Sequence, residues 1–143
     1  VSLARIRDLA EATLLRPEPD TRVTGYKEIR WYDEDLPDYL DFLRQVFPGA
    51  RFVLNTRNLE DVAASNYWTH KDDPLGQVQR IEAKMLAAAE GLGDAVHRVH
   101  YDDYVADPEV LRGLFDWLGE EFDAERVRGV LATPHSRRGK HRG

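Results

Sequence analysis

Apolar residues recur along this chain in two rhythms, and the switches between them mark its elements. From Ser2 to Leu15 the positions Leu3, Ile6, Leu9, Ala10, Thr13 and Leu14 return at helical spacing with Arg5, Arg7, Asp8 and Glu11 between them, which predicts an amphipathic helix. Pro17 and Pro19 make Arg16 to Asp20 a loop. Thr21 to Ile29 reads as a strand with Val23, Tyr26 and Ile29 as its apolar residues. Asp35 to Phe47 reads as a helix with acidic residues in its first turn and Leu36, Tyr39, Leu40, Leu43, Val46 and Phe47 on one face. Pro48 and Gly49 break it, and Ala50 to Thr56 is short and apolar enough for a buried strand.

Beyond that strand the pattern turns helical again. Asn58 is a good N-cap with Asp61 as its partner three places on, and Val62, Ala63 and Ala64 continue as helix. Thr69 to Pro74 is polar and turn-like. The longest helix, Leu75 to Leu92, follows with Val78, Ile81, Met85, Ala88, Ala89 and Leu92 as its buried stripe and Gly91 and Gly93 near its end. Ala95 to Tyr101 reads as a third strand carrying Val96 and Val99. Asp107 and Pro108 start a helix that Gly119 ends, and Asp123 to Leu131 forms a last short one. Strands separated by helices predict one α/β domain, a parallel sheet flanked by helices. In that reading strand 21–29, helix 35–47 and strand 50–56 form a right-handed parallel unit. Charged residues at the ends of the two strands, Lys27 and Arg57, then share one sheet edge.

Composition narrows the class. The 143 residues are 42% hydrophobic and 32% charged, which suits a globular domain burying roughly two-thirds of its unfolded surface in one core. Cysteine is absent, so disulfides and thiolate chemistry are excluded. No apolar run approaches the roughly 20 residues of a membrane span, and no signal-like segment is present, so a cytoplasmic setting is expected. The net charge of -6 argues against generic nucleic-acid binding, which needs a basic face. An anionic ligand would need a local positive pocket instead.

Arg57 is the candidate for that pocket. It stands where a strand hands over to a helix, a place at which free N–H groups favour an anion. Its guanidinium adds a bidentate fork, and the hydroxyl of Ser65, two turns into the predicted helix, adds a further donor. A phosphate monoester suits this set. The ordinary reading, a surface arginine and a surface serine, stays open on spacing alone.

The run FPGARFVLNTRNLEDVAASNYW, residues 47–68, resembles the 3′-phosphate-binding segment of sulfotransferases that use 3′-phosphoadenosine 5′-phosphosulfate (PAPS). The resemblance implies that Arg57 and Ser65 hold the nucleotide's 3′-phosphate. Leu59 stands where the family usually has proline. Lys27, Glu28, Ile29 and Arg30 are similar to a family segment of lysine, acid, a third residue and arginine, with Ile29 replacing a common proline. That likeness puts Lys27 near the transferring sulfuryl group. Tyr101 to Pro108 resembles the family's Tyr-Glu-Asp-Leu-x-x-Asp-Pro segment, which implies that Tyr101 approaches the adenine. A tyrosine that merely closes a strand is the alternative. In the basic tail 134–143, Arg137, Arg138 and Gly139 resemble an Arg-Lys-Gly element that closes over the 3′-phosphate, although such tails are commonly mobile. His70, in the polar turn, is a candidate for acceptor-side or proton-transfer work, against the usual reading of a solvent-exposed loop histidine.

The resemblance implies sulfuryl transfer from PAPS to a hydroxyl or amine on a small-molecule, sugar or protein acceptor, with Lys27 stabilising developing charge and no metal required. It also exposes a gap. The family's Gly-rich loop, which cradles the 5′-phosphosulfate with backbone amides, has no counterpart here, since the glycines at 25, 49, 76, 91 and 93 stand apart. The first residue is Val1 and the one methionine is Met85, so the expectation is the C-terminal part of a sulfotransferase domain. A non-catalytic, sulfotransferase-like binding module is the competing reading. A P-loop kinase relative would require Walker-type glycines, which the sequence does not contain.

Overall fold

The computed structural model describes residues 2–28 and 34–133. Helix α1 (Leu3–Ala10) opens with Ser2 as its N-cap, runs on through a wider turn at Glu11–Leu15, and stops where Arg16 adopts a left-handed conformation. None of its residues is fully buried. The guanidinium of Arg7 donates to the carbonyl of Val46, tying α1 to α2 (Leu36–Val46). Helix α2 turns Leu36, Leu40 and Val46 inward, the i, i+4 pair that its pattern promised.

Strand β1 (Phe52–Thr56) is followed by the short helix α3 (Leu59–Ala63), a polar turn, and the long helix α4 (Pro74–Glu90). Asp73 caps α4 from a left-handed conformation, its carboxylate accepting from Gly76 N at 3.1 Å. A Cβ at position 76 would meet that carboxylate at 2.0 Å, so the cap requires glycine there. Strand β2 (Val96–His100) then pairs in parallel with β1, in a register running from Phe52 opposite Val96 to Thr56 opposite His100. Helices α5 (Tyr101–Ala106), α6 (Arg112–Leu118) and α7 (Ala124–Ala132) complete the described chain. A single 3-10 turn at Pro108–Leu111, capped by Asp107, precedes α6, and Gly119 closes α6 with a positive φ.

The fold is α/β, a parallel sheet flanked by helices. Leu36 and Leu40 of α2 meet Leu92, with Phe52, Met85, Ala88, Ala95 and Val96 packed around them. Each fully buried leucine contributes about 1.5–3 kcal/mol, so this cluster fastens α2 and α4 to one side of the sheet.

The connectivity corrects one expectation. Among the described residues, 21–28 form no strand, and the parallel partner of β1 is β2, reached through α3 and α4. A strand needs a ladder partner. This segment instead lies on the surface with Val23 and Tyr26 exposed, and Tyr26 bonds Tyr39 of α2 hydroxyl to hydroxyl at 3.1 Å. Partial withdrawal of the hydroxyl from solvent and that bond raise the Tyr26 phenol's pKa. No sheet register therefore places Lys27 beside Arg57. Ile29 and Arg30, like the tail residues Arg137, Arg138 and Gly139, lie outside the described residues.

Candidate functional site

Where β1 ends, the chain must leave the ladder and begin α3 within two residues. Thr56 is the last strand residue, Arg57 follows, and Asn58 starts the helix by accepting Asp61 N on its side-chain oxygen at 3.1 Å. That is the cap anticipated from the sequence. Across the ladder β2 stops at His100, and Tyr101 begins α5 at once. Because Thr56 and His100 are register partners, the next residues, Arg57 and Tyr101, emerge side by side at the carboxyl ends of both strands.

They meet. The Arg57 guanidinium lies over the Tyr101 ring, 4.7 Å from its centroid, a contact worth about 0.5–1 kcal/mol at an exposed site. Tyr101 packs edge-on against Tyr104 at 5.5 Å, and buried Tyr104 accepts a hydrogen bond from Asn55 of β1 at 3.1 Å. The aromatic support under Arg57 is thus anchored in the core. Arg57 itself is exposed and forms no ion pair among the described residues. No carboxylate among the described residues stands within ion-pair distance of its guanidinium.

Three further polar groups surround the corner. Thr56 Oγ1 lies 2.8 Å from His100 Nδ1, and His100 Nε2 lies 3.2 Å from Asp102 Oδ2. The same carboxylate oxygen accepts the backbone N–H of Asn58 at 2.8 Å. Sequence reasoning singled out none of Thr56, His100 or Asp102 as site residues. Their signal is tertiary: only the parallel register sets position 56 against 100.

The other anticipated site residues are placed differently. Ser65 lies beyond the end of α3, not two turns into a helix. The five-residue helix stops at Ala63, and Ser65 enters the turn, where its carbonyl accepts from Trp68 N and Thr69 N. The helix ends early because Ser65, Asn66, Tyr67 and Trp68 bring no apolar face that the core could take, and Tyr67 is left 63% exposed. His70 is exposed in the same turn, and Lys27 is exposed on the surface segment before α2. The structure joins Arg57 to Tyr101; among the described residues no ion pair joins Lys27 or His70 to this corner.

A groove of about 670 Å³ lies at the opposite end of the sheet, lined by Asp41, Arg44, Gly49, Ala50, Arg51 and Asp94. Its size does not make it the site, because Arg51 there has its donors engaged by helix carbonyls and two carboxylates stand beside it. Among the described residues no group of His, Asp and Glu is placed to hold a metal ion, and no helix is long and apolar enough to cross a membrane.

A family model described as "Sulfotransferase family" matches residues 22–124, well over half of the chain and the whole span from Lys27 to Tyr101. No curated protein and no solved structure matches the chain.

Proposed function

The chain belongs to the sulfotransferase family, and from that premise we propose that it binds PAPS and takes part in transferring a sulfuryl group to the hydroxyl or amine of an acceptor. One observation carries the reading. Arg57 stands at the carboxyl end of a parallel strand, exposed, stacked on Tyr101 and without an ion pair among the described residues. Open α/β sheets bind ligands at that end of their strands, and a guanidinium with a free fork suits a phosphate monoester. The residues present therefore fit the 3′-phosphate of the nucleotide.

In this reading Arg57 holds the 3′-phosphate and Ser65 adds a hydroxyl from the turn after α3. One face of Tyr101 is occupied by the guanidinium, so the ring offers an adenine its remaining surface. PAPS supplies, when bound, the activated sulfuryl group. Lys27 is the cation set against the negative charge that develops during transfer, and His70 serves the acceptor side. Arg137, Arg138 and Gly139 lie outside the described residues, and their part in holding the phosphate rests on the resemblance alone.

Calorimetric titration with 3′-phosphoadenosine 5′-phosphate tests the reading. Arg57→Ala should weaken binding by about 1.5–3 kcal/mol, the usual size of a lost hydrogen bond to a charged group. Equal affinity of variant and wild type would remove Arg57 from the site and the reading with it.

A further inference from the structure

We infer that His100 and Asp102 are positioning residues for Arg57, clamping the Thr56-Arg57-Asn58 corner from β2 and α5. The inference rests on the reading of Arg57 as a phosphate-binding residue and extends it to groups that touch no ligand.

The backbone alone holds this corner loosely. The ladder ends at Thr56, and the next helical bond begins only when Asn58 O accepts from Val62 N. Arg57 thus sits on a bend between two elements, followed by a helix of five residues that adds little rigidity of its own. Side chains from the neighbouring strand end supply what the backbone lacks. Thr56 is held by His100, Arg57 by Tyr101, and Asn58 by Asp102. Each consecutive residue of the corner is gripped by its opposite number, so the register of the sheet continues through side chains after the ladder has stopped.

His100 joins the two outer contacts. Asp102 Oδ2 can only accept from Nε2, while the Thr56 hydroxyl bonds Nδ1 at 2.8 Å and also lies 3.4 Å from Val99 O. The His100 and Asp102 side chains are 38% and 39% exposed, and polar contacts so exposed add little to global stability. Their effect is local: they narrow the range of directions in which Arg57 can point. Order gained before binding is not lost upon it. The arrangement has an electrostatic cost, because Asp102 also brings a negative charge to a corner that is to receive an anion.

That opposition makes the clamp testable. Asp102→Asn keeps an oxygen for Asn58 N–H and His100 while removing the charge; Asp102→Ala removes both. Two readouts on the whole chain separate the effects: amide 15N order parameters at Arg57 and Asn58 without ligand, and affinity for 3′-phosphoadenosine 5′-phosphate. Asp102→Asn should keep rigid-backbone order parameters of about 0.85 and bind at least as well as wild type. Asp102→Ala should lower the order parameters at both residues and bind about three- to tenfold more weakly than Asp102→Asn, the effect of one net hydrogen bond. His100→Ala should loosen the same two amides. Unchanged order in Asp102→Ala, or an affinity no weaker than that of Asp102→Asn, overturns the clamp. Should wild type not bind the nucleotide, the functional reading falls, and the order parameters still decide whether the corner is clamped.

Discussion

Arg51 and Arg57 stand at the two ends of the same five-residue strand, and each lays its guanidinium over an aromatic ring, Arg51 over Trp117 at 5.4 Å and Arg57 over Tyr101 at 4.7 Å. The likeness stops at the donors. Arg51 gives its N–H groups to the carbonyls of Trp117 and Leu118 at 2.8 and 3.4 Å, closing the C-terminal end of α6. Arg57 makes no such bonds among the described residues, and its neighbours brace the backbone around it while leaving the fork open. An arginine at a strand end therefore says little by itself. What its five donors already hold decides whether it is a structural cap or a binding group.

The comparison can be broken in three steps of decreasing size. Leu40→Ala empties part of the cluster beneath the sheet and should cost about 2–5 kcal/mol of stability. Chemical denaturation measures it, and the loss should reach both ends of the strand alike. Arg57→Ala and Arg51→Ala should then part company: the first lowers nucleotide affinity by about 1.5–3 kcal/mol with stability near wild type, whereas the second leaves affinity within about twofold and lowers stability by about 1 kcal/mol. Equal effects of the two on affinity would mean that the nucleotide reads general positive charge. The smallest effect belongs to the ring. Tyr101→Leu should weaken nucleotide binding by about 0.5–1 kcal/mol through loss of the stacked support. A further check on the same binding curve is salt, which should weaken wild type more than Arg57→Ala.

Legibility in the sequence followed how local each feature is. Asn58 as a cap, Asp107 and Pro108 before a helix, and Gly119 after one are settled by residues within a single turn, and all three stand as read. The strand expected at 21–29 does not form over the described residues 21–28: Val23 and Tyr26 carry strand-like chemistry, while nothing in the segment says whether a partner strand exists. The expectation that Ser65 lies inside a helix rests on neighbours that tolerate helix, yet α3 ends two residues earlier for want of a buried face. At the site, the resemblance drew Arg57 and Tyr101 separately. Their stacking, and the Thr56, His100 and Asp102 contacts around them, depend on a pairing across more than forty residues.

What the order of residues determined, then, was the helices, the strands at 52–56 and 96–100, the caps, and the arginine at a strand end, since each follows from the preferences of neighbours a few bonds apart. Only the folded chain decided which strand lies beside that arginine, which ring supports it, and whether its donors are free. Those outcomes depend on burial and register between distant segments, and hydrogen-bond partners are assigned only when the segments meet.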